Sequence, residues 1–186
     1  MRRGKNFIRR AGMAAVLFGF LLGTGLCACE AADSENGLKA FELVGAFLQE
    51  DEWFPTRVEG KYLYKMGFLG DNGDLRCYAQ VRVDEEQLIF YAVAPVKAPE
   101  EKRIAMAEFL TRANYGLFIG NFSMDFNDGE IRYKSSLDFE GVELSKPLII
   151  HAIYPAVQTM DNYLPGIMKV ITTDEAPKDI IAEIEG

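Results

Sequence analysis

Phe118-Ile119-Gly120-Asn121-Phe122-Ser123-Met124-Asp125-Phe126-Asn127-Asp128-Gly129-Glu130-Ile131-Arg132-Tyr133-Lys134-Ser135-Ser136-Leu137-Asp138-Phe139 reads as a strand, a turn and a returning strand. Phe118, Gly120, Phe122, Met124 and Phe126 occupy alternate positions, and Ile131, Tyr133, Ser135, Leu137 and Phe139 alternate back. A period of two sends each set to one face of a pleated ribbon. Asp128-Gly129 supplies the left-handed backbone that a tight hairpin turn uses. A hairpin with one apolar face must lay that face on other elements, so this stretch predicts a sheet backed by helices.

Upstream, the same period recurs. Tyr62, Tyr64, Met66 and Phe68 share one face of a strand, Leu75, Cys77, Ala79, Val81 and Val83 one face of the next, and Leu88, Phe90, Ala92 and Ala94 one face of a third, closed by Pro95 and Pro99. The Asn72-Gly73 pair between the first two suits a two-residue hairpin turn. Around these strands the period changes to that of a helix. Leu38, Phe41, Val44 and Leu48 form one stripe before Trp53-Phe54-Pro55, and Ile104, Ala107, Leu110 and Ala113 a second. Ile150, Ile153, Val157, Met160, Leu164, Ile167 and Ile171 form a third, in which Pro155 and Pro165-Gly166 are expected to kink or break the helix. The predicted fold is α+β: a five-stranded antiparallel sheet with helices on one face, in the order α-β-β-β-α-β-β-α, over residues 37–174, with residues 175–186 as an acidic amphipathic tail.

Two segments carry a resemblance. Ala113-Asn114-Tyr115-Gly116-Leu117 running into the hairpin and on to Gly141, together with Asn162-Tyr163-Leu164-Pro165-Gly166-Ile167-Met168-Lys169-Val170-Ile171, resembles the YbjN family. The resemblance covers most of residues 38–173. It implies a bacterial sensory-transduction regulator with a fold similar to type III secretion chaperones, and, because that fold often dimerises, a homodimer. It implies no catalytic residues.

The chain opens differently. Arg2, Arg3, Lys5, Arg9 and Arg10 precede an uncharged stretch over residues 11–26, followed by Leu26-Cys27-Ala28-Cys29. A basic start, an apolar run and a small-residue site are the three parts of a secretory signal, and the run is short of the roughly 20 residues a bilayer span needs. The end of the run resembles a bacterial lipobox, with Leu26 and Ala28 placed ahead of Cys29. That resemblance implies cleavage before Cys29, lipidation of its sulfur, and a membrane-attached protein on the extracytoplasmic side of the cell envelope. Residues 29–36 would be a tether. The alternative is an ordinary cut near Ala31 or Ala32 that frees a soluble secreted or periplasmic protein.

Cleavage changes the electrostatics. It removes five of the 20 basic residues and none of the 28 acidic ones, leaving 15 against 28, a net charge of about −13. So acidic a domain is a poor match for nucleic acid, where Lys and Arg neutralise phosphates. Cys77 is then the one cysteine beyond the lipobox, so no intrachain disulfide framework is available.

The residues offer no catalytic constellation, and no metal or cofactor is expected. His151 is the single histidine, and one histidine cannot complete a Cys/His cage. The acidic loops at Asp71-Asn72-Gly73-Asp74 and Asp125-Phe126-Asn127-Asp128-Gly129-Glu130 depart from the EF-hand order and read as turns. Partner-binding candidates are Trp53 and Phe54, where aromatics could anchor an interface; Tyr78 and Tyr91, which point away from the apolar set; and His151. Arg57, Lys61, Lys65, Arg76 and Arg82 could line the same outer sheet face. The leading function is a non-enzymatic, lipid-anchored protein-binding or regulatory module. The alternatives are a small-ligand or lipid-binding domain, and a hydrolase using Asp125, Glu130 and Asp138.

Overall fold

The structure, a computed structural model, describes residues 33–186. The signal segment, the lipobox and Cys29 lie outside the described residues. Helix α1 spans Glu35–Glu50, and six strands follow in two groups: β1 Thr56–Arg57, β2 Leu63–Leu69, β3 Asp74–Arg82 and β4 Gln87–Lys97, then β5 Asn121–Met124 and β6 Glu130–Asp138. Helix α2, Arg103–Gly116, separates the groups, and α3, Lys146–Thr172, and α4, Pro177–Glu185, close the chain. The strands form one antiparallel sheet in the order β1-β2-β3-β4-β6-β5. The sixth strand, beyond the five expected, is β1. At two exposed residues it is too short to show an alternating pattern, and it exists only because Thr56 and Arg57 pair with Lys65 and Tyr64.

Alternation does what it promised in the centre. Leu75, Cys77, Ala79 and Val81 of β3, Leu88, Phe90 and Ala92 of β4, and Ile131, Tyr133 and Ser135 of β6 are all buried on one face. The helices cover that face, and Phe41, Phe109, Ile153 and Met160 fill the space between, each fully buried. Those side chains occupy the space between sheet and helices, where the small-ligand alternative would place its cavity. The crossover through α2 seats β6, not β5, beside β4, and leaves β5 at the edge.

Local expectations were corrected where tertiary contacts intervened. Helix α1 begins at Glu35, within the stretch expected to be tether, because Ser34 caps it by accepting from the Gly37 amide at 3.2 Å. Glu86 fastens that end: its carboxylate accepts from the Ser34 hydroxyl at 2.5 Å, the Asn36 amide at 2.7 Å and the Gly141 N–H at 3.1 Å. These donors hold Glu86 below the usual carboxylate range. Helix α2 buries Met106, Phe109, Leu110 and Ala113, so its inward stripe is rotated from the one predicted, and Ile104 is exposed. Strand β5 is shorter than the alternation suggested, leaving Phe118 fully exposed and Phe126 in the turn.

Neither proline breaks α3, which runs through Pro155 and Pro165 for 27 residues. Each proline removes one backbone donor, but a continuous buried face, from Ile149 to Val170, packs on the sheet and on α2 and outweighs the loss. Pro165 also sits on the solvent side, where a freed carbonyl can bond to water. Gly166 faces the other way: a β-carbon there would lie 2.3 Å from Ile184 Cδ1 and 2.7 Å from Phe109 Cζ. That close approach seats α4, which buries Ile180 and Ile181. The acidic tail is therefore a core element.

The β2–β3 connection is also not the two-residue turn that Asn72-Gly73 suggested. Neither residue has the positive φ such a turn requires. Instead Asp161, buried on α3, reaches into the loop and accepts from the Asp71 and Asn72 amides at 3.0 and 2.9 Å.

Candidate functional site

The sheet has a second face, and among the described residues no helix packs on it. Reading the registers straight across gives two adjacent rows. The first is Thr56, Lys65, Tyr78, Tyr91, Lys134, Asn121, and the second is Gly67, Arg76, Val93, Arg132, Ser123. Tyr78 and Tyr91 are thus direct cross-strand partners and make up the aromatic floor of this face. Both are half-buried. The Arg132 guanidinium lies 5.0 Å over the Tyr91 ring, a cation–π contact that also orients the arginine. Val93 is only 3% exposed although it sits on this face; its partners across the ladder are Arg76 and Arg132, whose aliphatic stems can cover it.

The predicted outer-face cations divide. Lys65 and Arg76 lie on this surface, and Arg82 lies at its margin, bound to Glu85 and Gln87. Arg57 turns to the helix side, where it lies 4.7 Å over the Phe41 ring and pairs with Glu42, and Lys61 sits in the β1–β2 loop. Arg132 and Lys134 were missed as members. Their alternation was visible in the quoted hairpin, but nothing local says that β6 lies beside β4.

Trp53 and Phe54 form a separate feature at the junction of α1 and the sheet. Glu52 and Phe54 both have left-handed backbones, at φ 58° and 49°, a conformation costing on the order of 1 kcal/mol for residues with a β-carbon. Those reversals turn Trp53 inward and Phe54 outward. Trp53 is 9% exposed, stacks on Phe68 at 5.6 Å, meets Phe90 and Tyr154 edge-on, and donates its indole N–H to Asp51 at 2.8 Å. Tyr154 donates to the same carboxylate at 2.5 Å. Phe54 is 74% exposed and Leu69, at the end of β2, 83%. Trp53 is therefore a core plug and Phe54 the exposed partner. His151 is exposed on α3 one turn before Tyr154, at the rim of this edge and away from the tyrosine floor.

The three carboxylates of the hydrolase alternative do not converge: Asp125 and Glu130 meet across the hairpin end, where the Asp125 N–H donates to the Glu130 carbonyl at 2.9 Å, but Asp138 lies at the far end of β6. Glu130 and Asp138 are the first and last residues of β6, roughly 26 Å apart at about 3.3 Å per residue. Asp125 accepts from the Asn127 amide within its own turn, and Asp138 from Gln87 and the Glu140 amide. The Asp125 turn is locked by Gly129, at φ 77°, where a β-carbon would lie 2.0 Å from the Ala98 carbonyl oxygen. Among the described residues, no three His, Cys, Asp or Glu side chains are grouped to hold a metal. Cys77 is fully buried, and burial pushes its thiol up to about 12, which suppresses the reactive thiolate.

Fold and surface define an α+β domain whose antiparallel sheet is covered by helices on one side and open on the other. The family described as "YbjN: Putative bacterial sensory transduction regulator" matches residues 40–168, and the chain belongs to it. Among solved structures, the fold is similar to that in "Crystal structure of YbjN, a putative transcription regulator from E. coli", with a TM-score of 0.54 and 9% identity over 69% of this chain and 91% of that one. A chain of the ExsC–ExsE complex aligns at a TM-score of 0.48 and 12% identity, over 69% of this chain and 93% of that one. No curated protein sequence matches.

Proposed function

We propose that the protein is a non-enzymatic, protein-binding module with a regulatory role, held on the extracytoplasmic side of the bacterial envelope by lipid on Cys29. The observation that carries the binding reading is the open sheet face, where two tyrosines sit directly opposite each other among cations. Aromatic and Arg side chains presented on a rigid element are the groups that dominate protein interfaces. Backing by a filled core fixes them in place, so binding would cost little ordering entropy. Membership of a family described as regulators supports a role that acts through partners.

A photo-crosslinking residue at position 78, expressed in cells, tests this reading. A discrete adduct with one protein, absent when the residue is moved to position 178 on α4, is the expected result. No adduct at position 78 or at position 54 would overturn it. The anchor is tested separately by intact mass of the membrane fraction: a species beginning at Cys29 and carrying acyl groups, lost in Cys29→Ala, supports it, and an unmodified species beginning near Ala32 excludes it. The homodimer implied by the family resemblance belongs to the same reading. It would use the edge beside β5, where Tyr115 and Phe118 are exposed, and sedimentation equilibrium measures it.

A further inference from the structure

The tyrosine floor lies in a setting at odds with the rest of the molecule. Among residues 33–186, eight basic side chains are paired with carboxylates: Lys39, Arg57, Arg82, Lys97, Lys102, Arg112, Lys146 and Lys169. In a chain with 28 acidic residues such pairing is easily found. Of the seven without such a partner among the described residues, Lys61, Arg103 and Lys178 are scattered over a loop and two helices, whereas Lys65, Arg76, Arg132 and Lys134 all fall in the two adjacent rows around Tyr78 and Tyr91. The next row, Leu63, Gln80, Ile89 and Ser136, is uncharged. Carboxylates return in the bordering positions, with Asp74 at the start of β3, Glu130 and Asp138 at the two ends of β6, and Asp125 across the hairpin from Glu130. Four like charges on one surface repel each other, so a ligand that neutralises them removes an existing penalty as well as adding contacts.

We infer that this face docks an acidic, extended polypeptide segment of a partner protein. Lys65 and Lys134 stand three strand spacings apart, about 14 Å at ~4.8 Å per spacing, and bracket the tyrosines. A segment of about five extended residues crosses that distance at roughly 3.3 Å each. Its carboxylates meet Lys65 and Lys134 at the ends and Arg76 and Arg132 along one side, while its apolar atoms lie on the rings. Arginine adds bidentate hydrogen bonding to carboxylate, which a point charge does not supply. A peptide suits the surface better than a long polyphosphate. The acidic remainder of the domain would repel a phosphate backbone running off the patch, whereas a short segment ends where the positive field ends.

The inference rests on the protein-binding reading of the same face and adds the chemistry of the partner. Its test is fluorescence anisotropy on the full chain in mild detergent, with a dye-labelled peptide of about eight residues alternating Asp or Glu with Leu. A Lys-for-acid peptide of equal length, a single-stranded oligonucleotide and phosphatidylglycerol vesicles are the comparison probes. The expected result is binding of the acidic peptide at least about tenfold tighter than each comparison probe, weakening as salt shortens the Debye length below about 8 Å. Lys65→Glu with Lys134→Glu should weaken it a further ~tenfold with unchanged melting, and Lys178→Glu on α4 should change it less than about twofold. If the reversal variant does not fold, Lys65→Gln with Lys134→Gln carries the same test. Equal binding of acidic and basic peptides, indifference to the substitutions, or tighter binding of oligonucleotide or vesicles overturns the inference. A crosslinked partner at position 78 that survives charge reversal leaves the protein-binding reading standing without the acidic specificity; loss of both results removes the two together.

Discussion

The two faces of one sheet are built from the same strands by the same alternation, and they do opposite things. On one, Cys77, Phe90 and Tyr133 disappear beneath the helices; on the other, Tyr78, Tyr91 and four cations remain at the surface. Neighbouring residues therefore have separate duties. Phe90 holds the fold together, and Tyr91 beside it is available to a partner. The difference teaches that a substitution's consequence here depends on whether its position is odd or even along a strand more than on its residue type.

The largest effect should come from the covered face. Phe90→Ala empties a fully buried ring site that also meets Trp53, and should lower unfolding free energy by about 3–5 kcal/mol in urea denaturation. Asp161→Ala should follow, at roughly 2 kcal/mol, because two backbone amides of the β2–β3 loop lose their buried acceptor. Hydrogen exchange at Asp71 and Asn72 should accelerate in the same variant, and unchanged exchange would show that the cap does not hold the loop.

Cys77 gives a pH test of the covered face. Burial raises its thiol from an ordinary value of 9.0 to about 12, so the folded chain keeps a proton that the unfolded chain releases. Its contribution is fully present below about pH 9 and is lost as pH rises toward 12. Stability should fall by up to about 1.4 kcal/mol per pH unit within that window. Comparing Cys77→Ala with the parent between pH 9 and 10 isolates the thiol, because the tyrosine contributions are common to both chains; equal slopes would mean that it is not sequestered. The smallest effect belongs to the open face, where Tyr78→Ser should change stability by about 0.5 kcal/mol or less while weakening peptide binding. A loss comparable to that of Phe90→Ala would show that the two faces share the structural load.

Legibility followed the range of the forces involved. The covered face could be read almost residue by residue, because period-two alternation in residues 75–83, 88–94 and 131–139 is a local record of which side is buried. Trp53 and Phe54 were legible as a pair, but not their division. That depended on two left-handed residues, Glu52 and Phe54, for which the sequence carries no glycine signal. The open-face set was half legible. Lys65 and Arg76 were assigned from alternation, while Arg57 was misplaced because it lies in a two-residue strand with no pattern of its own.

By itself the sequence determined the α+β class, the central strands, the sidedness of the hairpin and the acidity of the domain, since each is carried by residues close together in the chain. Only the tertiary structure decided that α3 passes intact through Pro155 and Pro165, that the tail is a core helix, and that β6 lies beside β4. These outcomes depend on long-range packing strong enough to override a local preference. The same placement of β6 brings Arg132 and Lys134 against Tyr91 and turns scattered cations into a single surface.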